Sequence, residues 1–280
     1  MTAGTSGFGT VLIIANPIAG QIDDMLVADL THRCRTQVAA VELHRTSARG
    51  DARQAAAQAV RAGTDLVLAV GGDGTVREVV QGLLDSGNAT DGPSLMIVPA
   101  GTGNSSYLAQ WGNLDWREAV TAALTGQGAR RVLLDLAQLE ELDQLVLLGA
   151  CSGLIAEALV AARTIGVTGR ERYRIALAQA AADFISYPGK VLVDGVVVHE
   201  GMTVLANVGG GKHRGGRYQV LPRSILDDGL LDVCVIDDAM PLRMEPVDPV
   251  VSAMKNTSAT RMSVPNSSSR CARAPSGRMT

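Results

Sequence analysis

The chain has 280 residues, 46% of them apolar and 19% charged, a composition that builds a core and excludes a largely disordered polypeptide. A formal net charge of -3 and an aromatic content of 3% exclude the basic surface and stacking platforms that nucleic-acid binding uses. The four cysteines, Cys34, Cys151, Cys234 and Cys271, lie far apart with no C-x-x-C pair, which fits free thiols in a reducing cytoplasm better than a zinc site or a disulfide framework. No apolar run reaches the roughly 18 residues that a membrane span requires, and the N-terminus lacks the basic and apolar regions of a signal peptide. The expectation is a soluble or at most peripheral protein.

Residues 10–15 form a β-branched run that Asn16-Pro17 ends. Residues 22–34 carry helical spacing and residues 37–43 read as a second strand. Residues 51–61 are rich in strong helix formers, with Asp51 placed to cap them. Residues 65–70 are almost continuously apolar, the pattern of a strand buried on both faces of a parallel sheet. This run leads straight into Gly71-Gly72-Asp73-Gly74-Thr75 and a helix over 76–84. A fourth buried strand, 94–98, ends in Pro99-Ala100-Gly101-Thr102-Gly103-Asn104 and another helix, and a further helix over 115–124 stops at Gly126-Gln127-Gly128. Such alternation predicts an open parallel sheet covered on both faces.

After Gly128 the texture changes. Residues 132–136, 145–150, 190–193, 196–199, 203–208 and 231–236 read as strands, interrupted by helices over 154–162 and 170–186. Asp194-Gly195 between two Val-rich runs is a hairpin turn. Three units result: an α/β domain over 1–128, a mostly antiparallel β-rich domain over 129–248, and a tail over 249–280. All 28 acidic residues precede Pro249, whereas five of the 25 basic ones follow it. With no helical or strand period, the tail is expected to be disordered, or to stand in place of the C-terminus such a body normally carries.

Three glycine-containing loops each follow a predicted parallel strand: residues 16–20, 71–75 and 101–104. Loops at the carboxyl ends of such strands line the ligand crevice of open α/β sheets, and glycines let backbone N–H groups approach a phosphate. There is no G-x-x-x-x-G-K-[ST], nor a G-x-G-x-x-G opening the first helix, so neither a P-loop nor a redox dinucleotide site is suggested. Asp73 suits Mg²⁺ held against phosphates, or a helix N-cap; on its residue type alone the cap is favoured.

The set Asn16-Pro17…Gly20, GGDGT with Glu78, and Pro99…GTGN resembles the diacylglycerol kinase catalytic-domain family, which includes bacterial lipid kinases and sphingosine kinases and is related to the NAD kinases. Asp135, Ala206-Asn207 and the run Leu226-Asp227-Asp228-Gly229-Leu230-Leu231-Asp232 extend the match. The resemblance implies an open parallel-sheet ATP-binding domain followed by an antiparallel β-sandwich. It also implies Mg²⁺-dependent transfer of phosphate from ATP to a hydroxyl of a lipid such as diacylglycerol, or of a soluble metabolite. Carried over residue by residue, Asn16 and Gly20 line the first ATP loop. Thr46 contacts ATP after the second strand, Gly72, Asp73, Gly74 and Thr75 form the central loop, and Thr102 contacts the nucleotide from the third. A structural Mg²⁺ is implied at Asp228 with the carbonyls of Ile225 and Leu230; the alternative there is a solvated turn. Peripheral contact with the inner face of a membrane and a homodimer stay open.

Two departures stand out. The family's third loop usually reads GTGND, whereas Asn104 is followed here by Ser105-Ser106. The family's general base lies in a D-G-E-type turn after Asp232, and no such motif follows here, which keeps open a nucleotide-binding protein impaired in catalysis. Two weaker patterns were weighed. Gly149-Ala150-Cys151-Ser152-Gly153 fits a nucleophile elbow, with Asp194 and His199 or His213 following, but a tight strand–helix junction is favoured. Lys212, His213, Arg214 and Arg217 read as a solvated hairpin tip or, less readily, an anion contact. The helix over 170–186, with Tyr173, Leu177, Ala180 and Phe184, reads as core packing.

Overall fold

The computed structural model describes residues 7–85, 91–139, 142, 144–167, 169–214, 218–238, 252–255 and 260–267. Four parallel strands, β1 (Thr10–Ala15), β2 (Ala40–Arg45), β3 (Leu66–Gly71) and β4 (Ser94–Pro99), form a sheet in the order β2-β1-β3-β4. The chain runs from β1 outward to β2 and returns past β1 to β3, so the order reverses between β1 and β3. At that switch point the carboxyl ends of the strands leave a crevice. Five helices cover the sheet: α1 (Asp24–Arg35), α2 (Asp51–Ala62), α3 (Asp73–Leu84), α4 (Ser105–Trp111) and α5 (Trp116–Thr125).

The apolar runs explain the layering. Every residue of β3 is buried, as a strand covered on both faces requires, whereas the edge strand β2 is exposed or half-buried throughout. Asp23 caps α1 by accepting from Leu26 N at 2.6 Å, and Asp115 caps α5 by accepting from Arg117 N at 2.8 Å. Asp29 joins the same two helices, accepting from Arg33 Nε and Arg117 Nε, each at 2.7 Å. Partial burial works against ionisation of Asp29, but the two guanidinium groups outweigh it and hold the carboxyl below its ordinary range.

Beyond α5 the strands turn antiparallel. β5 (Ala129–Leu139) pairs with β6 (Gln144–Val146). A separate sheet is built from β7 (Ala150–Gly153), β8 (Tyr187–Val193), β9 (Val196–Gly209) and β12 (Leu230–Asp237), with α6 (Leu154–Ala161) and α7 (Arg170–Asp183) between β7 and β8. A small ribbon, β10 (His213–Arg214) with β11 (Tyr218–Gln219), lies beside α4. The two runs read at 196–199 and 203–208 are one strand, β9. Asp194 and Gly195 turn the β8–β9 hairpin with φ of 49° and 80°, the sign that a two-residue primed turn demands.

The tail departs from its expectation. Residues of 249–280 form two strands, β13 (Ser252–Lys255) on β12 and β14 (Thr260–Ser267) on β5, both antiparallel. They complete the open edges of partner strands, which main-chain hydrogen bonds achieve without an apolar period. Pro265 is compatible with this because β14 is an edge strand.

One continuous core, from Phe8 to Leu147, serves the parallel sheet and reaches β5; the second sheet has a small cluster of Leu205, Leu221 and Cys234. Gly82 shows how tightly α2 and α3 meet. A Cβ there would lie 2.1 Å from the Arg53 carbonyl oxygen and 2.8 Å from Ala56 Cβ. Gly82→Ala is therefore expected to destabilise the fold by about 1–3 kcal/mol, read from the urea midpoint.

Candidate active site

The three glycine loops converge at the switch point. Asn16 N donates to Val70 O at 2.9 Å, Ala100 N to Gly71 O at 3.0 Å, and Gln21 N to Ala100 O at 2.8 Å. Asn16 Nδ2 donates to Thr75 Oγ1 at 2.9 Å, joining the first loop to the central one. A Cβ on Gly20 would lie 3.6 Å from Thr102 Oγ1, which sets the first loop beside the third. A Cβ on Gly101 would lie 2.3 Å from Gly72 Cα, so the central and third loops touch backbone to backbone. Gly71 is required for a different reason: the Thr75 side chain folds over it, within 2.5 Å of where a Cβ would be.

The two helix N-termini beneath these loops are treated differently. Gly72 is the N-cap of α3, which no side chain caps. Among the described residues the N–H groups of Asp73, Gly74 and Thr75 have no partner, and a Cβ on Gly74 would meet nothing within 4 Å. The helix N-terminus therefore keeps unspent donors, and Gly74 borders open space. The N-terminus of α4 is spent. Ser105 N donates to Asp73 Oδ2 at 3.1 Å, and Ser106 N and Ser106 Oγ each donate to Asp73 Oδ1 at 2.8 Å. Asn104, in the left-handed region at φ 51°, closes the third loop on itself through Gly101 N and O. Asp73 is thus not the N-cap of its own helix; it is the first residue of α3 and caps the next helix.

Thr46 follows β2 and donates its N–H to Ala15 O at 2.9 Å, which places it beside the end of β1. Its loop is held from two sides. Gly50 N donates to Glu78 Oε2 at 3.0 Å; Ser47 N and Oγ donate to Asp51 Oδ2 at 2.7 and 3.0 Å, and His44 Nε2 lies 3.0 Å from Asp51 Oδ1. Asp51 does not cap α2, since Gly50 holds that position. The Ser47 N–H is the main cause that holds the Asp51 carboxyl below its ordinary range.

Ile225 and Asp228 lie in the turn before β12, and Leu230 opens that strand. Asp228 Oδ1 accepts from Leu230 N at 3.0 Å. The buried Asp135 secures this turn: its N–H donates to Leu226 O at 2.7 Å and its carboxylate accepts from Gly229 N. Among the described residues no group of three or more His, Cys, Asp or Glu side chains is placed to hold a metal. A cation here would depend on single carboxylates, carbonyl oxygens, phosphates and water. The Asp228 carboxylate and the two carbonyls are hard oxygen donors of the kind Mg²⁺ takes, and so is the acceptor position that Asp73 keeps after three hydrogen bonds.

Tyr173, which the sequence suggests as core packing, is only half-buried. Burial pushes its hydroxyl up and the negative charge of Asp73 adds to this, which sets α7 within electrostatic reach of the central loop. The helix is only half-buried, with Ala176 as its one fully buried described residue, so it is more a cover than a core element. Ser105 and Ser106 were visible as a departure from the family pattern, but their partner was not.

The weaker patterns resolve. Cys151 lies inside β7, paired with Asn207, and burial pushes its thiol up. His199 pairs with Thr203 Oγ1 at 2.8 Å and Asp194 occupies the hairpin turn, so no triad assembles. Arg214 is not at a solvated tip. It is buried, donating to Asn207 Oδ1 at 2.9 Å and to the carbonyls of Gly211, His213 and Leu148.

An α/β crevice with uncapped α3 donors, backed by an antiparallel sheet, is the architecture of the lipid- and NAD-kinase class. A family model described as Diacylglycerol kinase catalytic domain matches residues 10–135, and one described as YegS C-terminal NAD kinase beta sandwich-like domain matches 150–255. A "Diacylglycerol kinase" of Mycobacterium tuberculosis is 30% identical over 234 residues, 80% of this chain and 72% of the relative. A "Probable lipid kinase YegS-like" of Stenotrophomonas maltophilia is 27% identical over 217 residues, 75% and 68% of the two chains. A crystal structure titled as a diacylglycerol kinase of Bacillus anthracis superposes with a TM-score of 0.67 at 25% identity, covering 89% of this chain and 83% of that one. The chain belongs to the diacylglycerol kinase family. By that membership it is a kinase-type phosphotransferase.

Two outcomes test the geometry. Gly101→Ala is expected to cost about 1–3 kcal/mol, because the obstacle is backbone on both sides and neither loop gives way freely. The Asp51 tie is complete above the ordinary carboxylate range and is lost as pH falls through the depressed native value. Asp51→Asn is thus expected to flatten the acid limb of a plot of urea midpoint against pH.

Proposed function

We propose that this chain transfers the terminal phosphoryl group of ATP to a hydroxyl of a lipid, with diacylglycerol the favoured acceptor. The observation that carries this reading is the α3 N-terminus. Three backbone N–H groups there have no partner among the described residues, and the space beside Gly74 is open; the first and third loops, with Asn16, Gly20 and Thr102, meet at the same strand ends. A phosphate chain laid there receives hydrogen bonds and the positive end of the helix dipole. Asn16 and Thr75, bonded to each other, hold the first loop against it.

Mg²⁺ is proposed at two places: Asp73 against the phosphates, and Asp228 with the Ile225 and Leu230 carbonyls as a structural site. A divalent cation in the crevice would neutralise charge on the transferring phosphoryl oxygens. Asp73, pinned by α4, presents its carboxylate without rotamer freedom to lose. Glu78 and Asp51 keep the Thr46 loop in place. Acting on a lipid, the chain would work from the cytoplasm as a peripheral protein, since no described helix is long and apolar enough to cross a membrane. A homodimer rests on the resemblance alone, and a soluble acceptor remains the alternative of the same chemistry. A second reading, nucleotide binding without transfer, is favoured by the absence of any acidic residue over 249–280.

Labelled ATP and Mg²⁺ incubated with diacylglycerol, sphingosine and polar alcohols separates these readings. Label in the lipid, reduced about a hundredfold or more by Asp73→Asn, supports lipid transfer. Label in a polar alcohol supports the soluble acceptor, and a Mg-ATP-dependent rise in thermal midpoint with no transfer supports binding alone. Gly74→Ala gives a sharper control. Its Cβ would enter empty space and its backbone is unstrained, so the fold is expected to stand while the Mg-ATP-induced rise disappears.

A further inference from the structure

We infer that Ser106 is a positioning residue for Asp73, holding its carboxylate in the orientation that receives the divalent cation of Mg-ATP; the inference rests on the nucleotide reading above. Ser106 is buried at 2% exposure and serves the carboxylate twice, through its N–H and its hydroxyl, on the same oxygen. Ser105 N takes the other oxygen. The clamp joins residues 32 and 33 positions apart, so it is built by the meeting of two loops and not by local helix geometry.

The chemistry explains why serines stand here. The family pattern has an acidic residue after Asn104, and a second carboxylate at position 105 would be drawn to the same N–H groups and repel Asp73. With Ser105 and Ser106, Asp73 has the N-terminus of α4 to itself. Three donors on two oxygens leave about one of the carboxylate's four acceptor positions unspent. That remaining position is aimed by the other three. Removing the Ser106 hydroxyl frees one hydrogen bond's worth of orientation without removing charge, backbone or volume from the loop glycines.

The test uses the full chain and a readout other than turnover. At fixed ATP, Mg²⁺ is titrated and the thermal midpoint followed, giving the Mg²⁺ concentration for half of the ATP-induced rise. Ser106→Ala and Ser106→Cys, the second keeping volume but weakening the donor, are each expected to raise that concentration about fivefold, the worth of one hydrogen bond. A merely structural serine would lower the midpoint without nucleotide and leave the Mg²⁺ requirement where it was. If the wild-type chain responds to Mg-ATP and a folded Ser106→Ala or Ser106→Cys needs no more Mg²⁺ than the wild type, the positioning role is overturned alone. If the wild-type chain shows no response at all, the nucleotide reading falls and the positioning role falls with it.

Discussion

At the crevice, the backbones of Gly72 and Gly101 come so close that Gly101 has no room for a Cβ, which would lie 2.3 Å from Gly72 Cα. This contact brings the N-termini of α3 and α4 together, and two helix N-termini facing one space repel through their partial positive charges. Asp73 sits between them as the first residue of α3 with its carboxylate on α4. One negative charge thereby compensates one helix and leaves the other open. On the proposed reading, that asymmetry is what would make a single anion site of two converging helices. Had Asp73 capped α3, the usual preference for such a residue, the donors of the central loop would have been consumed by their own helix.

The parallel sheet can hold that arrangement because its core is large. β3 is buried from end to end, and the cluster around it runs unbroken from Phe8 to Leu147. The second sheet is built more lightly. Its cluster has three buried residues, and exposed apolar side chains gather on the β8–β9 hairpin: Leu192, Val196, Val197, Val198 and Met202. Residues 196–202 of β9 pair with β8, whereas β12 and β7 begin their pairing further along, at Thr203 and Leu205. Local stability is therefore concentrated under the glycine loops, and the hairpin of β8 and β9 belongs to the less stable side.

How much of this was legible differs by the range of the interaction. β3 announced itself as a continuous apolar run, and the Asp194-Gly195 turn through residues that accept positive φ. The three loops were legible because glycine between strand and helix has few other uses. The roles of Asp51 and Asp73 were not. Each is an acid opening a helix, and in each case a glycine before it holds the cap, leaving the carboxylate to a partner that only the folded chain supplies. Arg214 misled for the same reason: its charge suggested solvent, but the carbonyl of Leu148, 66 positions away, helps to bury it. The strands of the tail escaped notice because edge pairing draws on backbone donors, which every sequence has.

A general base bears on the proposed chemistry less evenly than its family role suggests. Phosphoryl transfer through a loose transition state asks mainly for alignment and for neutralisation of charge on the transferring oxygens, and a base contributes late. On the proposed reading, alignment would fall to the α3 donors, the Asn16–Thr75 bond and the pinned Asp73, which sit at the edge of the large core. β14, from the segment after Asp248, packs against β4, β5 and α4, so that segment also supports the frame that holds Asp73. On that reading, a base would act on the acceptor hydroxyl and the α3 donors on the nucleotide, so binding and transfer would call on different groups.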